Sequence, residues 1–263
     1  MNIEIPDNWL GKPVEGALER ALRNPNPTLP VSDSILPANN TGLNKEDYII
    51  LPSQTHGDYI YGDTLVSMKR EYLGKNWDES WNLLKSDGAY MLNIRQFVDF
   101  LKLLRSGNAF DEHGNKVQPS RLMELYNDIT EVRDPWRSEW LDAKFNIQVV
   151  GKKWAGLVNK DVMHITYHIV NSQGVLTEVN EPLEHYLAND KIPGINLDDW
   201  IMSVNKHGLP TEDNPDGELY YWKPVDCRVA RFDASSGGTG LLCSGGPSFV
   251  YSLLGVRPAR AKI

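Results

Sequence analysis

Apolar residues recur at helical spacing through the middle of the chain, and this pattern predicts helices there. The clearest stripe consists of Ile94, Phe97, Val98, Leu101 and Leu104. Asn93 precedes this stripe as a suitable N-cap, and Gly107 follows it as a helix stop. The same reasoning predicts helices that begin at Asp78, Pro119 and Pro135. The last of these would carry an apolar stripe of Trp136, Trp140 and Leu141.

From Phe145 onward the apolar pattern changes to a period of two, which is typical of strands with one buried face. Strands are predicted over residues 145–149, 162–170, 176–179, 219–222, 229–232, 240–244 and 250–260. Short helices are predicted over Leu183–Asn189 and Asp198–Asn205. Helices that come first, followed by short strands and long irregular loops, indicate an α+β fold.

Residues 1–45 differ from the rest because prolines and polar residues dominate them. Such a segment buries little apolar surface by itself, so we expect an extended N-terminal arm. One short helix is predicted over Pro13–Arg23, with proline in its first turn. The remaining residues, 46–263, are predicted to form the main domain.

Charge and composition exclude several classes of function. The chain has 263 residues, of which 41% are hydrophobic. It contains 27 Lys and Arg and 35 Asp and Glu, which gives a formal net charge of -8. This is the composition of a globular protein, and the acidic balance argues against a nucleic-acid partner. The sequence contains no apolar run of about 18 residues, so membrane insertion is not expected. The first residues lack the pattern of a secretory signal, so we expect cytoplasmic synthesis.

The most unusual segment lies between Arg231 and Arg257. Its 25 residues contain a single charged side chain, Asp233, where the chain average of 24% would give six. Five glycines and five serines fall within residues 233–252, together with leucines and aromatic residues. A flexible linker would not run directly into the strand pattern that follows, so we expect an ordered surface with few charges. A Gly/Ser-rich loop beside a core strand is the plainer alternative.

Successive side chains of a strand point to opposite sides, and this assigns directions within the segment. We expect four residues to point inward: Ala234, Thr239, Leu241 and Cys243. The outward set is Asp233, Ser235, Gly240, Leu242 and Ser244, continued by Gly245, Gly246, Phe249, Tyr251 and Leu253. An outward set that mixes an acid, small residues and aromatic rings, without lysine or glutamate, is rare on a surface shaped by folding alone.

Several motifs in and around this segment resemble those of one known family. They are Asp198-Asp199-Trp200, His207-Gly208-Leu209-Pro210-Thr211, Tyr221-Trp222, Arg228-Val229-Ala230-Arg231-Phe232 and Leu254-Gly255-Val256-Arg257-Pro258-Ala259-Arg260. Together they resemble the variable proteins of diversity-generating retroelements, in particular those of archaeal viruses and of small-genome archaea. The resemblance covers the C-terminal part of the chain well and the middle helices loosely, and it does not extend to the N-terminal arm.

The resemblance implies a C-type-lectin-like fold, shared with formylglycine-generating enzymes, with short twisted antiparallel strands, flanking helices and long loops. In such systems an error-prone reverse transcriptase rewrites adenines of a template repeat and so diversifies a hypervariable region, here about residues 228–263. Carried over to this chain, the fixed positions are Ala234, Ser236, Leu241, Cys243, Pro247 and Ser252, with Gly238 left unassigned. The variable, ligand-binding positions are Asp233, Ser235, Gly237, Gly240, Leu242, Ser244, Gly245, Gly246, Phe249, Tyr251 and Leu253.

The function implied by the resemblance is not enzymatic. The C-terminal surface would bind a varied protein or glycan ligand of unknown identity, with no catalytic residue, no cofactor and no metal. The protein would be associated with a virion or displayed on a cell surface. Two alternatives remain open: an oxidase similar to formylglycine-generating enzymes that uses Cys227 and Cys243, and a structural component of a virion or cell surface. Whether these two cysteines form a disulfide is also open.

Two further groups of residues contain side chains of the kinds that bind metal ions. His164 and His168 share one side of a predicted strand, but they lie ~13 Å apart along it, too far for one metal ion. Asp213 and Asp216 lie near fragments of the motifs that calcium-binding lectins use, and calcium binding there is a further open question.

Overall fold

A computed structural model describes residues 48–150, 160–171 and 173–262, together with the backbone of three two-residue strands closer to the N-terminus. The chain divides into two units, Met1–Ser32 and Asp33–Ile263. In the first unit, strand β1 (Asn8–Trp9) pairs antiparallel with strand β2 (Lys12–Pro13). The helix predicted over Pro13–Arg23 lies, beyond Pro13, outside the described residues. The elements below all belong to the second unit.

The helices described in the second unit are α1 (Trp77–Ser86), α2 (Ile94–Arg105), α3 (Pro119–Thr130) and α4 (Leu197–Met202). The first three confirm the helices predicted from the apolar stripes. The cap of α2 is reciprocal, because the Asn93 side chain accepts from the Gln96 amide at 3.0 Å and the Gln96 side chain accepts from the Asn93 amide at 3.3 Å. An N-cap of this kind stabilises a helix by about 1 kcal/mol. The predicted helix over Asp198–Asn205 is confirmed in place, but it ends earlier, at Met202.

The strands of the second unit begin with β3 (Ser34–Ile35), β4 (Tyr48–Leu51), β5 (Gln54–His56), β6 (Tyr59–Tyr61), β7 (Thr64–Ser67) and β8 (Tyr90–Met91). Long strands follow: β9 (Arg137–Val150), β10 (Lys160–Val170) and β11 (Val175–Pro182). The C-terminal part contains β12 (Lys191–Ile195), β13 (Leu219–Trp222), β14 (Arg228–Ser235), β15 (Gly238–Gly245), β16 (Leu254–Val256) and β17 (Pro258–Ala261).

Nine of these strands form the main sheet, in the order β12-β13-β15-β14-β9-β10-β11-β3, with β16 also paired to β9. The first half of β9 lies between β14, which is antiparallel to it, and β16, which is parallel. A second sheet has the order β4-β7-β17-β8, so the last strand of the chain lies between two early strands. Strands β5 and β6 form a separate hairpin. The β14–β15 hairpin therefore lies inside the main sheet, not at its edge.

Helices combined with mainly antiparallel strands confirm the expected α+β class. Two details differ from the expectation of short antiparallel strands. Strand β9 has 14 residues, and the pairs β13–β15 and β16–β9 are parallel. The parallel pairs give the first half of β9 a strand on each side, β14 and β16, and they give β15 the two neighbours β13 and β14.

The helix predicted from Pro135 is wrong, because this segment forms the start of β9. Trp140 and Leu141 point to opposite sides of the strand, yet both are buried. Residues 137–143 are in fact all buried, so both sides of this part of the strand are covered. A strand buried on both sides has no polar side, so it lacks the alternation by which strands are recognised in a sequence.

The helix predicted over Leu183–Asn189 is also wrong. The backbone of this segment forms long-range hydrogen bonds instead of helical ones. The Leu183 amide donates to the Met163 carbonyl at 2.8 Å, and the Leu187 amide donates to the Pro210 carbonyl at 2.9 Å. These bonds satisfy the backbone groups in an extended loop, so tertiary contacts decide the conformation of the segment.

A buried ion cluster holds Arg257, at the end of the Leu-Gly-Val-Arg motif, in the centre of the protein. The Glu139 carboxylate on β9 is buried, with Oε2 3.2 Å from Arg257 Nε and 3.3 Å from Arg137 Nη2. Burial raises the pKa of Glu139, but Arg137 and Arg257 outweigh burial and hold the pKa below its ordinary value. Arg257 Nη1 also donates to the Ser67 carbonyl at 2.8 Å, which ties the motif to β7. The end of the chain is thus anchored to both sheets.

Candidate ligand-binding face

The β14–β15 hairpin places alternate side chains on two sides of the main sheet. The inward residues Ala234, Thr239, Leu241 and Cys243 are all buried, which confirms their predicted direction. Phe232 is opposite Leu241 in the β14–β15 register, and it stacks on Trp200 with ring centroids 5.8 Å apart. The inward side of the hairpin is therefore part of the hydrophobic core. We call the opposite side of β13–β15, together with loop 246–253, the C-terminal face.

Nine of the eleven candidate positions are accessible on this face. Gly237, Phe249 and Tyr251 are exposed, and Phe249 and Tyr251 keep 42% and 44% of their surface in contact with solvent. The half-buried positions are Asp233, Ser235, Leu242, Ser244, Gly246 and Leu253. Of the positions taken as fixed, Ala234, Leu241 and Cys243 are buried, Pro247 is half-buried, and Ser236 and Ser252 are exposed.

Gly240 and Gly245 are both buried, so the expectation that they are exposed on this surface is wrong. A Cβ atom at position 240 would lie 2.0 Å from the Tyr220 carbonyl oxygen, so the neighbouring strand β13 leaves no room for a side chain. Gly245 is opposite Val229 in β14, and a Cβ atom there would lie 3.0 Å from the Val229 carbonyl oxygen. Gly238 also has little room for a side chain, because a Cβ atom there would lie 2.0 Å from the Tyr220 ring.

An aromatic cluster surrounds Arg231 at one end of the face. The guanidinium carbon of Arg231 lies 4.7 Å from the centroid of the Phe249 ring. Trp136 and Trp140 are nearby, with ring centroids 5.7 and 5.9 Å from the same carbon. Tyr251 packs edge-on against Trp136, with centroids 4.6 Å apart and an interplanar angle of 77°. Cation–π contacts of this kind orient both the cation and the rings, so loop 246–253 is held over the sheet.

A second aromatic pair lies on the neighbouring strand β13. Tyr220 and Trp222 are both half-buried, and their rings stack with centroids 5.6 Å apart and an interplanar angle of 14°. In the sheet register they lie beside Gly240 and Leu242. Sequence reasoning missed Tyr220 as a member of the face and used Trp222 only as part of a family motif. The signal was present, because Tyr220 and Trp222 alternate with the core residues Leu219 and Tyr221.

The carboxylate of Asp233 has partners within the protein. Arg231 Nε lies 3.1 Å from both carboxylate oxygens, and the Ser138 hydroxyl on β9 also donates to the carboxylate. Burial nevertheless dominates, and it raises the pKa of Asp233 above its ordinary value. The one acidic residue among the candidate positions is therefore part of a local ion pair on the face.

The two cysteines differ sharply in environment. Cys227 is exposed, Cys243 is buried, and both are free thiols. Burial raises the pKa of the Cys243 thiol well above its ordinary value. A thiol with a raised pKa carries little thiolate, which is the reactive form in redox chemistry.

The residues weighed as metal ligands have protein partners of their own. His164 Nδ1 lies 3.0 Å from Asn180 Oδ1, and His168 Nδ1 lies 3.1 Å from Asp142 Oδ2. Asp213 forms an ion pair with Lys191, while the exposed Asp216 receives no such cation among the described residues. Within the same described ranges, the structure contains no group of three or more His, Cys, Asp or Glu side chains arranged to hold a metal ion.

A separate polar cluster surrounds Glu181 at the end of β11. Its carboxylate accepts hydrogen bonds from Tyr167 at 2.7 Å and from Lys206 at 2.6 Å, and His207 Nε2 lies 2.8 Å away. Burial opposes ionisation, but these three partners together lower the pKa of Glu181 to about 2. The cluster ties β10 and β11 to the loop after α4, and it lies apart from the C-terminal face in the sheet order.

No protein-family model matches the chain, and no curated protein or solved structure matches it either. In the described part of the chain, none of the helices is both long and apolar enough to cross a lipid bilayer. A function is therefore inferred from the geometry of the C-terminal face and from the motifs of the sequence.

Proposed function

We propose that this chain is a non-enzymatic binding protein, similar to the variable proteins of diversity-generating retroelements, whose C-terminal face recognises a ligand. In this proposal Asp33–Ile263 adopts a C-type-lectin-like fold and the retroelement diversifies the face. The observation that carries the proposal is the division of one hairpin into two sides. Nine of eleven candidate positions are accessible to solvent on one side, and the opposite side consists of core residues.

This division lets the face change while the fold stays the same. Exposed substitutions away from special contacts typically change stability by less than about 0.5 kcal/mol. Large-to-small substitutions of buried aliphatic residues cost about 2–5 kcal/mol. The anchors of the segment, Arg257 bound to Glu139 and the inward residue Leu241, do not belong to the accessible set. Many different faces are therefore compatible with a single stable scaffold.

The chemistry of the face suits recognition. Phe249 and Tyr251 supply large, rigid contact area at low conformational cost, as aromatic residues do in antibody binding sites. Ser235 and Ser244 add hydroxyl groups that adapt to different partners. Tyr220 and Trp222, outside the diversified segment, would provide an aromatic contact that every variant shares.

The binding proposal is tested with two libraries in the full chain. The first randomises the outward positions Asp233, Ser235, Leu242, Ser244, Phe249, Tyr251 and Leu253. The matched control randomises the inward positions Ala234, Thr239, Leu241 and Cys243. Both are displayed on yeast, scored for protease resistance and selected against a panel of unrelated purified proteins. We expect most members of the first library to stay folded and to yield binders, and few of the second to survive. Equal losses in both libraries, or no binders from the first, would overturn the proposal.

The retroelement is tested separately by sequencing the gene from many individuals of one population. Substitutions confined to adenine-containing codons of residues 233–253 are the expected result. An even spread of substitutions along the gene would contradict diversification, while the binding function would remain open to the library experiment.

The oxidase alternative receives less support from the described residues. It needs two cysteines that act together, whereas Cys243 is buried with a raised pKa and Cys227 is exposed. Replacing both cysteines with serine abolishes such an oxidase, but it leaves binding by a selected C-terminal face intact. A chain whose outward library folds but binds nothing would fit the other alternative, a structural component.

A further inference from the structure

Arg231 lies in an unusual environment at the centre of the aromatic cluster. Its side chain is only 14% exposed, and Phe249, Trp136 and Trp140 surround the guanidinium at 4.7, 5.7 and 5.9 Å. The aromatic rings limit the access of water to this cation. A partly desolvated guanidinium interacts more strongly with an opposite charge than a fully hydrated one does.

The hydrogen bonds of Arg231 leave part of the guanidinium unused. Nε is directed at Asp233, at 3.1 Å from the carboxylate. In the described ranges, Nη1 and Nη2 have no hydrogen-bond partner, and neither is among the buried polar atoms that lack one. The two amino groups therefore reach solvent on the face. Two parallel N–H donors on one guanidinium match the two oxygens of a carboxylate.

We propose that Arg231 is a carboxylate-binding residue of the C-terminal face, and that it receives an aspartate or glutamate side chain of a protein partner. This inference rests on the proposed binding function, and it specifies the chemical group that the face would bind, a carboxylate. Arginine and aromatic residues are the side chains most enriched in the energetic centres of protein–protein interfaces. The rings around Arg231 would then cover the aliphatic part of the acidic side chain.

A protein partner fits this cluster better than an acidic sugar does. A sugar needs several hydrogen-bonding groups around its hydroxyls. Asp233, which pairs with Arg231, and the neighbouring Ser138 are already bonded to each other and are not free for sugar hydroxyls. An aspartate or glutamate needs only the two free N–H groups and an apolar rim.

Asp233 modulates this site because its carboxylate competes with the carboxylate of the ligand. It offsets the charge of Arg231 in the free protein and repels an incoming anion at close range. An asparagine at position 233 keeps an acceptor for Arg231 Nε and removes the negative charge. We therefore expect D233N to bind a carboxylate at least about twofold more tightly than the unmodified chain.

The test uses small probes and the isotopically labelled full chain. N-acetylglutamate N-methylamide is the probe, the glutamine analogue is its uncharged match, and methyl glucuronide represents an acidic sugar. The readouts in two-dimensional NMR spectra are the Arg231 Nε–H signal and the indole N–H signals of Trp136 and Trp140. We expect saturable shifts with the glutamate probe and none with its glutamine match. Absence of shifts with glutamate would overturn the proposal, and shifts with the glucuronide alone would assign the site to carbohydrate instead.

Variants separate binding at Arg231 from a general effect of charge. R231Q should lose the shifts of both indole signals, and R231K should weaken binding because lysine lacks the paired N–H donors. R228Q is the matched control, since Arg228 is an exposed arginine of the same strand, and it should bind as the unmodified chain does. Equal losses in R228Q and R231Q would contradict the proposal. The probe comparison in the unmodified chain decides the question even if R231Q fails to fold.

The outcome is independent of the test of the binding function. Libraries that fold and yield binders, combined with a glutamate probe that fails to bind, would leave the binding function standing and remove only the role of Arg231. Libraries that do not tolerate outward substitutions would remove the proposed function itself.

Discussion

Leu241 and Leu242 are consecutive residues of β15 whose side chains point to opposite sides of the main sheet. Leu241 is 0% exposed and lies between Phe232 and Tyr221 in the sheet register, both also buried. Leu242 points to the C-terminal face and is half-buried. The same substitution, leucine to alanine, at these two neighbouring positions therefore measures how far stability depends on each side.

The expected magnitudes differ clearly. L241A removes a fully buried side chain and leaves a cavity, which costs about 2–5 kcal/mol of unfolding free energy. L242A removes a partly exposed side chain with few core contacts, and it should cost under about 1 kcal/mol. Each kcal/mol lowers the melting temperature of a domain of this size by roughly 2–4 °C. L241A should therefore melt at least about 4 °C below the unmodified chain, and L242A within about 4 °C of it.

The assay is equilibrium unfolding in urea, followed by tryptophan fluorescence and circular dichroism. Linear extrapolation gives the free energy of unfolding of each variant, and equal slopes show that the variants unfold in the same manner. Equal losses in L241A and L242A, or a larger loss in L242A, would refute the claim that the scaffold is independent of its outward residues.

Three further predictions concern single residues. G240A should fail to fold or lose several kcal/mol, because its Cβ would lie 2.0 Å from the Tyr220 carbonyl oxygen; G237A, which meets only a side-chain oxygen at 3.7 Å, should change the melting temperature little. E139Q should cost about 3–5 kcal/mol in urea unfolding, because it removes the carboxylate that pairs with the buried Arg257 and one of the two that pair with Arg137. The folded-state pKa of Glu181 is about 2, so its contribution to stability is complete above the ordinary pKa and disappears as the pH falls towards 2. E181Q should accordingly flatten the acid limb of a plot of melting temperature against pH, and an unchanged limb would contradict the assigned pKa.

Helices α1, α2 and α3 are predictable from the sequence. Local signals determine them, such as the apolar stripe from Ile94 to Leu104 and the Asn93 cap, and these signals need no knowledge of distant residues. Strands β4–β8 were not predicted, because each has at most four residues and is too short to show a clear alternation of apolar and polar positions. The first half of β9 does not look like a strand in the sequence, because residues 137–143 are all buried and the strand therefore has no exposed polar side.

The same distinction between local and long-range determinants applies to the candidate site. Alternation predicts the inward directions of Ala234, Leu241 and Cys243, because direction within a strand is a local property. It cannot predict the burial of Gly240, because that depends on the Tyr220 backbone in β13, a parallel neighbour that is not adjacent in the sequence. The sequence identified Arg231 only as part of a motif. The aromatic residues that surround it, Trp136, Trp140 and Phe249, are distant from it in the sequence or lie beyond the hairpin, so no local pattern reveals the cluster.

At the buried glycines, a diversified side chain would be incompatible with the packing of the folded protein. A retroelement that rewrote the codon for position 240 would mostly create side chains that collide with the neighbouring strand, and such proteins would be lost. Position 242, two residues further along the same strand, lies on the C-terminal face and is half-buried. Under the proposed function, the packing of β13 on β15 would therefore limit the useful repertoire as much as the template does. The repertoire would be concentrated at the accessible positions around Arg231, where a changed side chain would alter the ligand contact and leave the core unchanged.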